Sequence, residues 1–459
     1  MTQVEGAQRA LFPAPATMNL IVLAVALFVS GRAHAQESEE AALGTIDVNG
    51  SAGAAVPLPK LAVVPLLTSG RADEVVQLVT RGDLTLSGQF DVLDESAAPS
   101  GPFLIDIPLD LDAWGKVGAE YVVRVYSRSA TGVGSRLVGE AYLNQTSRVP
   151  TTPTGAPVTA APLFTTTIAL TEDVRAASHR LVDALLGALT GRPGGFASRM
   201  VYVANIGASR RVFELDSDGF DLHAASPSDA TALSPSFGPG DVLFYALSRK
   251  LSPFRLATTS RGLPAPVQVP GSLMGLAFSA DRKQMALIAM DEGVSTVYLE
   301  SGGKLRKFAQ APLANHPAFG PSGKLAYVAG TTVQRVYVDR RPVSPPGFMA
   351  SAPVFCDTPQ GLLVFYTVKT RTGSDIVASY PNGQGLHRFT QLQGGKSDPA
   401  CSPDGRLLAY FSTRSAGKGA GLYIMPIARP WLARKVAGEV GDSLRWEATV
   451  AAPAPRPAR

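Results

Sequence analysis

The stretch PSFGPGDVLFYAL, Pro235–Leu247, decides the fold, because the chain goes on to repeat it. Related copies are LAFSADRKQMALIAM from Leu276, PAFGPSGKLAYVAG from Pro317, PVFCDTPQGLLVFYT from Pro353 and PACSPDGRLLAYFST from Pro399. Their key residues, Phe237, Phe278, Phe319, Phe355 and Cys401, are spaced 41, 41, 36 and 46 apart, and Trp446 lies another 45 on. Each copy holds an apolar strand, a turn of the Pro-Asp-Gly kind and a second strand such as Leu407–Phe411, with a third such as Gly421–Met425 following later. A period of ~40–45 residues with four short strands is the signature of a propeller blade. One twisted sheet cannot bury both of its faces, so the blades must stack radially, and closing the ring protects the edges. Five copies follow the opening strands at Arg199–Ala204 and Phe213–Leu215, which makes six blades. The leftover strand Ser443–Trp446 is expected to pair with the first sheet and fasten the ring.

Ahead of the repeats the pattern differs. Leu61–Leu66 and Glu120–Val125 are short apolar runs of the buried-strand kind. Helices are expected at Asp73–Leu86, Leu109–Val117 and Val174–Leu189, the last with Val174, Ala177, Leu181, Leu185 and Ala188 on one face and Gly191 and Pro193 as its stop. A strand is expected at Gln89–Leu93. This alternation predicts a small α/β domain followed by an all-β six-bladed β-propeller. Within that domain Arg148–Pro162 carries no periodicity and reads as a loop.

The chain has 459 residues, with 45 Gly, 36 Pro and only 17% charged residues. So many breakers in an apolar sequence favour short strands and turns over long helices. The formal charge of +5 comes without a basic run, so nucleic-acid binding is not expected. Asn19–Ser30 is apolar but shorter than the ~20 residues of a membrane span. The GRAHA segment after it, Gly31–Ala35, has the small-x-small pattern of a signal-peptidase site, with cleavage before Gln36 and either Met1 or Met18 as the start. Residues 1–35 are therefore expected to be a signal peptide, and the mature chain an exported protein.

Little catalytic material is present. No G-x-S-x-G, H-E-x-x-H or C-x-x-C occurs. QGGKS, Gln393–Ser397, lacks the first glycine of a phosphate loop and the helix after it. DSDGFD, Asp216–Asp221, has its Gly at the fourth position instead of the sixth required of a calcium loop, and Asp-Gly between strands favours a tight hairpin. His179 is expected on the solvent side of its helix, His223 and His387 near outer strands, and His316 in a loop at one channel mouth. Cys356 and Cys401 sit at like positions of successive blades, where the ~4.4–6.8 Å between Cα atoms that a disulfide needs is uncommon, so buried free thiols are favoured over a bridge. No metal, cofactor or enzymatic activity is expected.

Five segments in order resemble the TolB family of periplasmic propeller proteins in the Tol–Pal envelope system. They are IDVNGSAGAAVPLPKLAVVPL (Ile46–Leu66), LSGQFDVLD (Leu86–Asp94), AWGKVGAEYVV (Ala113–Val123), LTGRPGGFASRMVYV (Leu189–Val203) and DSDGFD. The expected organisation is residues 36–60 as a flexible arm, 61–195 as the α/β domain and 196–447 as the propeller, with 448–459 a disordered Pro/Ala/Arg tail that is extra to the family's pattern. The resemblance implies a monomeric, non-enzymatic periplasmic scaffold, without membrane insertion. One propeller mouth would bind Pal, a peptidoglycan-associated lipoprotein, and the arm would bind TolA, an inner-membrane protein, in support of outer-membrane integrity and cell division. On this footing Ile46, Asp47 and Val48 fall on the arm. The mouth is assigned to loops just ahead of the repeat strands, with Ser272, Gly275, Asn315, His316, Ser397 and Asp398. The family commonly has His where Ser272 stands and an acid where His316 stands. An exported propeller that senses a glycan or small ligand without Tol partners is the alternative.

Overall fold

The computed structural model describes residues 57–65, 70–130, 134–144, 161–170, 173–207, 209–259, 267–390, 394–413 and 419–448. The expected signal peptide, the arm residues Ile46, Asp47 and Val48, most of the 148–162 loop and the tail beyond 448 lie outside the described residues. No helix among the described residues is long and apolar enough to cross a membrane.

The first domain is built from β1 (Lys60–Val63), α1 (Arg71–Leu86), β2 (Asp91–Val92), α2 (Leu111–Lys116), β3 (Tyr121–Ala130), β4 (Gly134–Leu143), β5 (Phe164–Ala169) and α3 (Val174–Thr190). The strands form one sheet in the order β2-β1-β3-β4-β5. β1 runs parallel to β2 and β3, while β3-β4 and β4-β5 are antiparallel. Continuous apolar runs arise in β1 and β3 because both faces are covered. Leu61, Val63, Val123 and Val125 pack with Val76, Leu84, Leu181 and Leu185 of α1 and α3. Ala62, Val64 and Val122 pack with Leu111 and Trp114 of α2 on the other side.

α3 begins where Asp173 accepts a hydrogen bond from the Ala176 N–H at 2.9 Å, and it ends on Gly191 in the left-handed region at φ 79°. Its buried surface is wider than one stripe and includes Ser178, His179, Val182 and Leu186, whereas Ala188 is exposed. His179 is 2% exposed, contrary to the expectation of a solvent-facing side chain. The reason is that α3 faces the sheet and α1 on one side and the propeller on another. Imidazole Nδ1 of His179 lies 2.7 Å from Asp83 Oδ2 of α1. Burial alone would lower the His179 pKa, but Asp83, then Asp218 and Asp216, outweigh it and push it up to about 9. Asp183, also on α3, accepts hydrogen bonds from the Phe196 and Ala197 N–H groups at 2.8 Å each, yet burial pushes its carboxyl up to about 7.

The propeller has six sheets. The first holds β6 (Arg199–Ile206), β7 (Ser209–Asp216) and β8 (His223–Ala224), and the second β9 (Thr231–Phe237), β10 (Leu243–Ser248) and β11 (Arg255–Thr258). The third comprises β12 (Ser272–Phe278), β13 (Gln284–Asp291), β14 (Val294–Ser301) and β15 (Lys304–Gln310). The fourth comprises β16 (Asn315–Phe319), β17 (Leu325–Ala329), β18 (Arg335–Val338) and β19 (Arg341–Pro342). In the fifth are β20 (Ala350–Thr358), β21 (Gly361–Thr370), β22 (Gly373–Ser379) and β23 (His387–Arg388). The sixth contains β24 (Lys396–Cys401), β25 (Leu407–Ser412), β26 (Gly421–Pro426) and β27 (Arg434–Ala437). β28 (Asp442–Trp446) then pairs antiparallel with β6, as the sequence predicts, and becomes the innermost strand of the first sheet. DSDGFD forms the expected tight hairpin between β7 and β8: the Asp216 N–H donates to Phe220 O at 2.8 Å, and Gly219 turns the chain at φ 93°.

The expectation of free thiols is wrong. Cys356 and Cys401 form a disulfide across the fifth and sixth blades, with Cα atoms 5.6 Å apart. Cys356 lies one residue past its repeat position, so its side chain points away from that of Phe355 and into the apolar layer between β21 and β25.

The α/β domain meets the propeller at one face only of those the hydrogen bonds reach. Arg175 pairs with Asp216 at 3.3 Å and with Asp218 at 2.5 Å. Arg406 donates to Arg192 O at 3.1 Å and Arg429 to Gly88 O at 3.2 Å. These propeller residues sit at or just beyond the carboxyl ends of β7, β24 and β26.

Candidate functional site at the channel mouth

The six inner strands, β9, β12, β16, β20, β24 and β28, all begin at the face away from the α/β domain. Near that end every one of them slips register against its neighbour: between Leu233 and Ser236, Leu273 and Gly275, Asn315 and Ala318, Ser351 and Val354, Ser397 and Ala400, and Asp442 and Arg445. These are β-bulges, which turn side chains out of the ladder and leave backbone groups unpaired. Five carry a non-glycine residue at positive φ: Ser234 (50°), His316 (46°), Ala352 (48°), Asp398 (53°) and Ser443 (56°). Each of these, like Gly275, stands three residues before the key residue of its repeat.

Neighbouring blades satisfy the freed backbone groups. Ser234 Oγ accepts from the Leu276 N–H at 3.0 Å and Ser236 Oγ from the Phe278 N–H at 3.1 Å. Thr367 Oγ1 accepts from the Asp398 N–H at 3.1 Å, and Asp398 Oδ1 from the Ser443 N–H at 2.8 Å. Small polar residues recur at these positions because each serves the next blade round.

The bulges line a cavity of 360 Å³ together with Arg210 from the β6–β7 hairpin. Asn315, His316 and Asp398 lie on it, beside Ser234, Met274, Ser351, Asp442 and Ser443. Arg210 and Asp442 form an ion pair at its rim. Below them Arg445 spans the channel from β28 and donates to Pro317 O of the fourth blade at 3.1 Å. Burial pulls the Arg445 guanidinium pKa down, with Asp398 opposing. Asn315 Nδ2 donates to Leu313 O, which turns Oδ1 toward His316 Nδ1 at 2.6 Å. His316 therefore donates through Nδ1 and offers Nε2 as an acceptor. Burial, then the charges of Arg445 and Arg210, push its imidazole down to about 4. Burial pushes the Asp398 carboxyl up to about 6, against the Ser443 N–H and with Asp442 adding to it. The mouth is thus a polar ring with a neutral imidazole, suited to hydrogen bonding with a protein surface.

The assigned residues are on the inner strands themselves, not in loops ahead of them as the sequence suggests. Ser272 opens β12 and accepts from the Phe254 N–H at 3.1 Å, off the cavity. Gly275 is a spacer: a Cβ there would stand 2.7 Å from Pro317 Cδ of the next blade. Ser397 faces a separate cleft of 320 Å³ that it shares with Gln334, Ser351 and Thr367. Arg210, Ser234, Met274, Ser351, Asp442, Ser443 and Arg445 were not foreseen. The offset of three from the repeat's key residue would have found Ser234 and Ser443, and the position before it Met274, Ser351 and Asp442; nothing in the sequence singles out Arg210.

Residues 44–143 match the family model described as the TolB amino-terminal domain. Over those residues the chain is similar to TolB proteins. It is 30% identical over 230 residues to the Tol-Pal system protein TolB of Dinoroseobacter shibae, covering 48% of each chain. To the protein of the same description from Methylococcus capsulatus it is 28% identical over 191 residues, covering 39% of this chain and 40% of that one. The chain spans about half the length, or less, of these curated relatives. The crystal structure of TolB from Acinetobacter baumannii has the same fold, with a TM-score of 0.66 at 19% identity, over 85% of this chain and 97% of that one.

Proposed function

We propose that this chain is a TolB-type protein, a non-enzymatic periplasmic scaffold of a Tol–Pal system. On this reading the bulged channel mouth holds a Pal-like peptidoglycan-associated lipoprotein. The arm, with Ile46, Asp47 and Val48, engages a TolA-like inner-membrane protein by adding a strand to a sheet edge. The scaffold would thereby serve outer-membrane integrity and cell division. The observation that carries the reading is the joining, in one chain, of a TolB amino-terminal domain to a six-bladed ring whose polar mouth opens on the face that domain leaves uncovered. The test is retention of purified Pal-type and TolA-type proteins on the immobilised chain, with and without residues 36–48. Loss of TolA binding with Pal binding intact is expected on deletion. Loss of both, or of neither, would sink the division of labour between arm and mouth.

A further inference from the structure

At the domain junction, His179 and Asp83 carry two buried polar atoms without hydrogen-bond partners, His179 Nε2 and Asp83 Oδ1. Asp83 is fully buried and His179 is 2% exposed. His179 Nε2 faces Asp218 Oδ2 of the β7–β8 hairpin at 4.0 Å, too far for a hydrogen bond. One donor atom from each of Asp83, His179 and Asp218 lies within 4.8 Å of the others. We propose that this junction is a divalent-cation site of the zinc class, with His179 Nε2 and Asp218 as ligands and Asp83 holding the imidazole.

Three features favour a cation there. First, two carboxylates face the one imidazole, Asp83 Oδ2 at 2.7 Å from Nδ1 and Asp218 Oδ2 at 4.0 Å from Nε2. Second, Asp83 Oδ2 on Nδ1 reproduces the carboxylate–histidine–metal relay, in which the acid fixes the ring so that Nε2 is free to ligate. One imidazole nitrogen with carboxylate oxygens is a donor set that suits Zn²⁺, whose bonds of about 2.0–2.2 Å require the 4.0 Å gap to close by only a fraction of an ångström. Third, a cavity of 540 Å³ at the junction reaches both His179 and Asp216, which gives an ion and its waters a way in. Arg175 need not leave. Its guanidinium carbon stacks 4.1 Å from the centre of the Phe220 ring, and it can remain the outer partner of Asp218 while a second lone pair of that carboxylate takes the ion.

The ligands come from both domains, α3 for His179 and the propeller for Asp218, so an ion would staple one to the other. The site does not depend on any Tol partner. Its test uses the full chain, stripped of metal, untagged, and equilibrated with ZnCl₂. The expected result is one zinc per chain by elemental analysis after dialysis, with a thermal midpoint raised by several degrees. Asp218→Asn and His179→Gln should each lose the bound zinc and the shift. Asp218 is in the β7–β8 turn, outside the apolar core, and Asn keeps its shape, so its variant is expected to keep the fold even if the histidine variant does not. No zinc retained at millimolar concentration, or full stoichiometry surviving in D218N, would overturn the site.

Discussion

Cys356 and Cys401 join the inner strands of the fifth and sixth blades through a bond that closes a loop of 45 residues. In the chain-entropy view a loop of that length stabilises the fold by about 4 kcal/mol. Replacing both cysteines by Ala, or reducing the protein, should lower the thermal midpoint by several degrees and leave partner retention at the mouth unchanged below it. Scanning calorimetry with and without reductant checks this. An unchanged midpoint would mean that the ring holds these blades equally well by packing.

Trp446 ends the closing strand. It is buried, and its indole N–H donates to Ser198 Oγ at 2.8 Å, at the entry to the first blade. Trp446→Ala should cost about 3–5 kcal/mol, the range for emptying a large aromatic site. Denaturant unfolding should show the loss, together with weakened near-ultraviolet circular dichroism.

His316 and Asp398 share the mouth and respond oppositely to acid. His316 sits at about 4 in the fold against about 6.5 when free, so its contribution to stability is lost as pH falls from about 6.5 to 4. Asp398 sits at about 6 against about 3.8, so the fold binds its proton first and gains stability over nearly the same window. Each is worth at most about 3 kcal/mol, and the two nearly cancel. Asp398→Asn should therefore make the protein acid-sensitive between pH 6.5 and 4, while His316→Asn should make it more stable there. Thermal midpoints measured across that range give the sign directly; identical slopes in both variants would refute the assignment.

Gly275 keeps the third and fourth blades close. Gly275→Ala should be destabilising by about 1–3 kcal/mol through overpacking against Pro317. The equivalent change at solvent-facing Gly438, which has open space around it, should be near neutral and serves as the control.

For binding, Asn315→Asp with His316→Glu puts two acids beside Asp398 and Asp442. If the mouth is the lipoprotein site, affinity should fall at least tenfold with the midpoint little changed. Isothermal titration calorimetry reads the first and calorimetric scanning the second.

The blade period was readable because the second strand of a blade buries nearly every residue, and that leaves the same apolar run each time. Leu407–Phe411 and Leu325–Ala329 are fully buried, and both were conspicuous in the sequence. The bulges were hidden because their positive-φ positions are held by Ser, His, Ala and Asp, not by the glycine that announces such a backbone. In the α/β domain β5 escaped notice: Phe164–Ala169 is an edge strand of exposed and half-buried residues, three of them Thr, with no strong apolar signal. His179 was misplaced since a helix packed on two fronts has no true solvent side where periodicity suggests one. The disulfide depended on a one-residue offset between blades, which only the pleat of the folded strand makes meaningful.

The pairing of β28 with β6 brings Asp442 beside Val203, near the two extremes of the ring. A chain that emerges from its amino end can lay down five sheets in order, each resting on the one before. The first sheet must wait with its inner edge unpaired until the last strand arrives. Assembly therefore has a built-in order, with completion as its final event. During folding the unfinished ring presents the open edge of β6 to whatever strand reaches it first, so the interval before closure is when this chain is most exposed to mispairing with another copy of itself.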